Sequence, residues 1–320
     1  MSVQELSSAT RAPMLTRGRL IYLIFASAAM AGFVALMYIG YIQPVVLGIV
    51  QGLAEFLPIS SAAHLILMRW FFGWRSGMSS GLTFDLALHL GTLVALLCYF
   101  WRDWIEILGS APGAANWGWR RLRGDRLFEP ALGARVLASM LVATIPGLIF
   151  GVLLAPYVRD GLFRSPRLLA FTLTLGGLML HMSDTKRPEK LELSEITMRQ
   201  SLLIGLAQSF ALVPGISRLA ATLTMSRLLT FDRSTATRYS FLLSAPITLA
   251  ALAYNYDLLL NIPSDEFMVF GVGVLVSAIV GLLTIHALLD FVGRFSFSAF
   301  AVYRAVLAIA IVITYFMRNF

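Results

Sequence analysis

The chain has 320 residues, of which 58% are hydrophobic and 13% are charged, and its formal net charge is +8. Soluble domains carry roughly 25% charged residues, so this composition excludes an ordinary soluble protein and favours lipid as the solvent. The basic residues lie in short loops between apolar runs, which argues against nucleic acid as a partner, and the single cysteine excludes an internal disulfide.

The N-terminal part of the chain divides into a tail and an apolar run. Residues 1–19 are polar and basic, and residues 20–42 are apolar. A membrane-crossing helix needs about 20 residues, whereas the apolar core of a signal peptide has about 7–15. We therefore expect 20–42 to be a retained, extra transmembrane helix.

Six further apolar runs are long enough to span a bilayer, which makes about seven transmembrane helices with the first. They cover residues 83–101, 134–155, 167–182, 237–256, 266–290 and 298–317. Two other apolar regions, 44–70 and 200–229, are broken in the middle by proline and serine. Freed backbone groups cannot face lipid, so each region is predicted to form a re-entrant helix hairpin inside an all-α polytopic membrane protein.

The two broken regions resemble each other. The first has Gly48 and Gln51 before Pro58 and Ser60, and the second has Gly205 and Gln208 before Pro214 and Ser217. Paired broken segments of this kind indicate an internal repeat, with the functional site where the repeats meet.

Loop charges give the orientation. The loops over 102–133, 183–199 and 230–238 are basic, whereas 257–265 has two aspartates and no base. Basic loops stay in the cytoplasm, which predicts a cytoplasmic N-terminus and an external 257–265 loop. The arginines of 156–166 are then an exception on the outside. In this arrangement the two hairpins enter from opposite sides, as an inverted repeat requires.

The first hairpin carries an acid, two hydroxyls and a histidine. Gln51 and Glu55 are four residues apart and share a helix face. An ionisable group at membrane depth costs about 2.5–3.5 kcal/mol and usually faces a cavity, although Glu55 at an interface is the alternative. Ser60 and Ser61 fall where the second half-helix begins, so they are candidates for capping and for phosphate binding at its positive end.

The histidines differ in their surroundings. His64 lies one turn into the second half-helix, where it is a candidate for proton transfer or for attack on phosphorus; a structural role is the alternative. His89, His181 and His286 have no such cluster of an acid and two serines beside them and are interpreted as structural.

The second hairpin carries Arg218 directly after Ser217. A guanidinium fork fits phosphate, and the hydroxyls of Ser217 and Thr222 can add donors. The alternative is a structural ion pair between Arg218 and Glu55. The chain has no GxxxxGK[ST] loop and no HExxH motif, which argues against nucleotide hydrolysis and zinc. Glu55 is a candidate ligand for Mg²⁺ or Ca²⁺ shared with diphosphate oxygens.

Two stretches resemble the undecaprenyl-diphosphate phosphatase (bacitracin-resistance) family. Residues 51–64 read QGLAEFLPISSAAH, similar to the family pattern (E/Q)xxxE followed by FLPxSSTGH, and residues 214–222 read PGISRLAAT, similar to PGxSRSxxT. Shorter stretches at 84–92, 239–246 and 303–304 also look like the family. The resemblance covers about 44–317, which we take as a phosphatase-like membrane domain.

The resemblance implies an integral membrane phosphatase that converts undecaprenyl diphosphate to the monophosphate and so recycles the lipid carrier of cell-wall synthesis. It implies a bacterial cytoplasmic membrane, a site open to the outer face, membrane lipids as surroundings and a possible homodimer. The implied catalytic residues are Glu55, Ser61, His64 and Arg218, with Glu55 as base or metal ligand and either Ser61 or His64 as nucleophile. The implied substrate-binding residues are Gln51, Ser60, Ser217 and Thr222.

The chain departs from the family pattern beside both motifs. Ala62-Ala63 stands where the family has Thr-Gly, and Leu219-Ala220 stands where it has Ser-Gly. Two hydroxyls are lost, and the lost glycines restrict a backbone in which positive φ is expected, so rate and substrate are the properties at stake. A polyprenyl-phosphate flippase, a lipid-diphosphate binder without hydrolysis, and a scaffold remain the alternatives.

Overall fold

The apolar runs of the sequence form helices. A computed structural model describes residues 41–74, 81–125, 130–159, 163–185, 191 and 193–319. The predicted tail over 1–19 and nearly all of the predicted helix over 20–42 lie outside these described residues. Residues 44–320 form one compact unit, whose architecture follows.

The α-helices in chain order are α1 (Ile42–Phe56), α2 (Ser61–Phe72), α3 (Leu82–Tyr99), α4 (Trp101–Gly109), α5 (Ala111–Leu122), α6 (Leu132–Arg159), α7 (Pro166–Thr185), α8 (Met198–Ser209), α9 (Arg218–Leu228), α10 (Arg233–Tyr254), α11 (Tyr256–Leu260), α12 (Phe267–Val292) and α13 (Ser298–Asn319). Short 3₁₀ turns cover Leu193–Glu195, Phe210–Leu212 and Ser264–Glu266.

All six predicted spans inside the described ranges are helical. Four stretches, in α3, α6, α12 and α13, are long and apolar enough to cross a membrane. The other two, α7 and α10, are less apolar because they carry buried hydroxyls such as Thr172, Thr237 and Ser240. The predicted class, an all-α polytopic membrane protein, is confirmed.

The predicted loop over 102–133 is wrong in one respect, because most of it is helical. Helices α4 and α5 fill this stretch, and Ile107 and Trp117 bury their side chains there. Each helix is short and neither is strongly apolar, so hydropathy alone did not separate it from a loop.

The first broken region forms a helix–break–helix hairpin from α1 and α2. A Cβ on Gly48 would lie 2.9 Å from the carbonyl oxygen of Gly273, and one on Gly52 would lie 2.9 Å from the amide nitrogen of Gly281. The missing side chains therefore let α1 run closely alongside α12, as small residues do in membrane helix pairs. The hairpin enters from the end of the bundle where α12 begins.

The second broken region forms a hairpin from α8 and α9 and enters from the other end. Gly205 packs on the backbone of Ala143, and a Cβ on Gly147 would lie 3.3 Å from Nε2 of Gln208, so α8 follows α6 inward from its start. At that end α3 finishes, because α4 follows it directly and a Cβ on Gly133, at the start of α6, would lie 3.2 Å from the carbonyl oxygen of Glu106 on α4. Helix α12 finishes there too, because the Tyr99 hydroxyl lies 3.3 Å from Nδ1 of His286. The predicted inverted arrangement of the hairpins is thus confirmed.

Candidate active site

Both breaks end in a serine that has a positive φ and caps the next helix. Ser60 has φ +77° and Ser217 has φ +72°, a left-handed conformation that is uncommon outside glycine. Each serine is the N-cap of the following helix: Oγ of Ser60 accepts from the amide of Ala63 at 3.4 Å, and Oγ of Ser217 accepts from the amide of Ala220 at 3.2 Å. Both helices α2 and α9 therefore begin at a capped, positively polarised end.

The two breaks are in direct contact. The amide of Gly215 donates to Oγ of Ser60 at 3.0 Å. The guanidinium of Arg304 on α13 donates to the carbonyl of Pro58 at 3.1 Å and to the carbonyl of Gly215 at 2.6 Å. These bonds bring together two helix starts that lie more than 150 residues apart in the sequence.

Glu55 is the centre of the polar cluster. Its Oε2 accepts from the hydroxyl of Ser61 at 2.6 Å and from Nε2 of Gln51 at 3.1 Å. Its Oε1 forms an ion pair with NH2 of Arg218. The Glu55 side chain is 7% exposed. A hydroxyl within hydrogen-bond reach of a carboxylate that a third group orients is the arrangement of an activated nucleophile.

Arg218 is fixed by a third element. Its NH1 donates to the carbonyl of Ser244 at 2.8 Å and to Oγ1 of Thr248 at 3.1 Å, both on α10. The predicted alternative, an ion pair between Arg218 and Glu55, is thus present in the structure. It does not exclude anion binding, because Arg218 also lines the cavity described next.

A cavity of about 710 Å³ opens above this cluster. Its polar residues are Glu55, Ser60, Ser61, His89, Gln208, Ser209, Ser217, Arg218, Thr248, Tyr254 and Asn255. Its walls come from α3, α6 and α10 and are mostly apolar; they extend to Leu82, Ala155 and Tyr254, at the end of the bundle where α3 begins. A polar floor under long apolar walls fits an amphiphile with an anionic head.

The structure places His89, and not the predicted candidate His64, in the cavity. Nδ1 of His64 donates to the carbonyl of Ser60 at 2.8 Å, and its Nε2 lies 2.8 Å from the Tyr303 hydroxyl, so both ring nitrogens are engaged away from the cavity. His89, interpreted from sequence as structural, lines the cavity, with Nε2 at 3.5 Å from Oε2 of Glu55. Its Nδ1 donates to the carbonyl of Asp85 at 2.7 Å.

Two predicted substrate-binding residues do not reach the cavity. Gln51 is fully buried and acts through Glu55. Thr222 directs its hydroxyl to the carbonyls of Arg218 and Leu219, both at 3.1 Å, within its own helix. Sequence reasoning missed Ser244, which offers Arg218 only a backbone carbonyl, and Thr248, because a hydroxyl residue inside an apolar span carries no local signal.

The expected strain at the departures from the family pattern is absent. Ala63 and Ala220 lie inside α2 and α9, whereas positive φ falls on Ser60, Ser217 and Gly215. The alanines therefore fit their helical backbone. The remaining effect of the departures is the loss of two hydroxyl groups, at Ala62 and Leu219.

The cluster does not form a closed metal cage. Within the described ranges no group of three or more His, Cys, Asp or Glu side chains converges. Both oxygens of Glu55 already accept from donors. The residues fit a divalent cation only in the way Mg²⁺ is often held, through one carboxylate together with substrate phosphate oxygens and water.

Comparison with known proteins places the chain among membrane phosphatases. The family profile described as "Bacitracin resistance protein BacA" matches residues 44–310. The undecaprenyl-diphosphatase of Pelotomaculum thermopropionicum is 42% identical over 278 residues, which is 87% of this chain and 98% of that protein. That of Moorella thermoacetica is 43% identical over 279 residues, covering 87% of this chain and 99% of that protein.

Proposed function

The chain belongs to the bacitracin resistance protein BacA family, and from this premise and the cavity geometry we propose that it hydrolyses undecaprenyl diphosphate to the monophosphate and phosphate. The observation that carries the proposal is the 2.6 Å hydrogen bond from Ser61 to Glu55 beside Arg218, at the floor of an apolar cavity. The activity would recycle the lipid carrier of cell-wall synthesis.

The residues take the following roles. Oγ of Ser61 attacks the terminal phosphorus, its proton passes to Oε2 of Glu55, and the bond from phosphorus to the prenyl monophosphate breaks. Water then displaces Ser61 from phosphorus, and the proton returns from Glu55 to Oγ. Arg218 and the free amides at the starts of α2 and α9 stabilise negative charge on the transferred group. Ser61 is preferred to His64 as nucleophile because Ser61 faces the cavity.

The walls and the loops support the remaining parts of the proposal. The prenyl chain would lie along the apolar walls of α3, α6 and α10. A divalent cation held between Glu55 and the diphosphate would neutralise part of its charge. The cavity extends to the end of the bundle that carries Asp257, so we place that end outside a bacterial cytoplasmic membrane and the N-terminus inside. A homodimer is part of the same proposal.

The test is phosphate release by purified protein from C55 and C15 diphosphates, with and without a metal chelator. We expect release that is abolished by Glu55→Ala and by Arg218→Ala and restored after chelation by Mg²⁺ or Ca²⁺. Lipid binding without release, at any cation concentration, would contradict the proposal and favour a transporter or a lipid-diphosphate binder. Cysteine labelling of Asp257→Cys in whole cells tests the orientation, and labelling from the cytoplasm alone would overturn it.

A further inference from the structure

Arg304 lies outside both motifs yet contacts both breaks. It comes from α13, and its side chain has no exposed surface. Its donors reach five backbone carbonyls, on α7 and on the two breaks. They are Leu173 at 2.9 Å, Thr172 at 3.4 Å, Pro58 at 3.1 Å, Gly215 at 2.6 Å and Ile216 at 3.1 Å.

The charge of this guanidinium is not balanced by an acid. Within the part of the chain that the structure describes, no carboxylate pairs with Arg304, whereas the buried Arg227 has Asp184 at 3.0 Å. Carbonyl oxygens satisfy the donors but do not cancel a full charge. An unpaired buried ion has an effective penalty of several kcal/mol, so its place in the fold calls for an explanation.

Three of the five carbonyls that Arg304 holds lie next to the site. Pro58 lies two residues before the N-cap Ser60, and Ile216 lies directly before the N-cap Ser217. One rigid guanidinium fork therefore fixes the backbone that leads into both helix starts. A shift of this fork would move Ser61 and Arg218 relative to each other.

We propose that Arg304 is a positioning residue for the phosphoryl transfer, a role that rests on the proposed function. It holds the starts of α2 and α9 against the same anion, and its positive charge is balanced only when the diphosphate binds. The protein thus has two cations for one anion: Arg218, which lines the cavity, and Arg304, which is buried beneath the two helix starts.

The first experiment compares Arg304→Lys with Arg304→Gln. Lysine keeps the charge but loses the fork, and glutamine loses the charge. A misplacement of about 1 Å can cost about 10²-fold in rate. We expect kcat to fall about 10²-fold in Arg304→Gln and less in Arg304→Lys, with a smaller change in KM, measured per folded molecule. Folded Arg304→Gln protein with the kcat of the parent would overturn the proposal.

A second variant keeps Arg304 in the sequence but displaces its guanidinium group. A Cβ on Gly176 would collide with NH2 of Arg304 and lie 3.0 Å from the carbonyl oxygen of Ile216. The neighbouring Gly177 is the matched control, because its Cβ would lie at the ordinary distance of 3.4 Å from Cβ of Arg304. We expect Gly176→Ala to lower kcat and Gly177→Ala to leave it unchanged; equal activity of the two variants would count against the proposal.

Binding separates this inference from the phosphatase proposal. The rise in unfolding temperature on adding a prenyl methylenediphosphonate needs no turnover. We expect the parent to be stabilised and Arg304→Gln to be stabilised less, even if neither releases phosphate. Equal stabilisation of both proteins would overturn the charge-balancing role, whereas absent release by the parent alone would contradict only the proposed reaction.

Discussion

The two breaks share a backbone but differ in chemistry. Both have a glutamine nine residues before a left-handed serine cap, Gln51 before Ser60 and Gln208 before Ser217. The residue after the cap is Ser61 in the first break and Arg218 in the second. The repeat therefore supplies two equivalent helix starts, and one divergent position gives one of them a nucleophile and the other a cation.

The position five residues before the cap differs as well. It is Glu55 in the first break and Leu212 in the second. Glu55 accepts from Ser61 within its own hairpin and pairs with Arg218 across the repeat. The acid is thus a link between the two halves within the cavity, and variants at these positions test whether the halves act together.

The largest effect is expected at the hydroxyl. Ser61→Ala removes the proposed nucleophile, and losses for such residues reach about 10⁶-fold in proteases; we expect at least about 10³-fold in kcat. Phosphate release from a C15 diphosphate measures it. Ser209→Ala is the control, because Ser209 also lines the cavity but donates to the carbonyl of Gly205 at 3.1 Å. An active Ser61→Ala protein would show that Ser61 is not the nucleophile and would favour water or His64 in that role.

The pair across the repeat gives the next largest effect. Losing one charge-stabilising donor typically costs about 10²–10³-fold, so we expect this loss in kcat for Arg218→Gln. If Arg218 and Glu55 only hold the fold, the double variant Glu55→Gln with Arg218→Gln should recover activity, since it leaves no unpaired charge. We expect the double variant to remain inactive while recovering unfolding temperature. Recovered phosphate release would reduce the pair to a structural role.

The sequence predicted the groups that belong to local motifs. Glu55 and Arg218 were found because a charge inside an apolar run is conspicuous at membrane depth. Residues whose importance depends on packing across the chain were not found. Ser244 offers only a carbonyl to Arg218, and His89 reaches Glu55 because the bidentate pair of Arg69 with Asp85, at 2.6 Å, ties α2 to α3.

Hydropathy also predicted the helices better than their ends. The six spans inside the described ranges needed only length and apolarity. Whether a break is left-handed, and at which residue, depends on what surrounds it. Positive φ was expected near Ala63 and Ala220, but it falls on the two serine caps, where Gly215 and Arg304 hold the backbone.

A smaller loss of kcat is expected for variants of His89. Because Nδ1 of His89 donates to the carbonyl of Asp85, only the imidazolium form of the ring can also donate from Nε2 to Oε2 of Glu55, 3.5 Å away. An interaction with a charged group contributes about 1.5–3 kcal/mol, so His89→Leu should lower kcat about tenfold or more. His89→Gln can still donate to Glu55 and should recover most of the rate. Steady-state kinetics on the two variants measures this. Equal losses in both would show that a ring nitrogen itself is needed, and no loss in either would show that Gln51, Ser61 and Arg218 hold Glu55 without His89.

The smallest effect compares the two caps directly. Loss of a serine cap costs about 1 kcal/mol, which is our expectation for Ser217→Ala. Ser60→Ala should cost about 1–3 kcal/mol more, because it also leaves the amide of Gly215 without the acceptor at 3.0 Å. Unfolding temperatures of the two variants in detergent show which one is destabilised more. Equal shifts would mean that the contact between the breaks adds nothing, and the two hairpins would then be held together by Arg304 and by the pair of Arg218 with Glu55 alone.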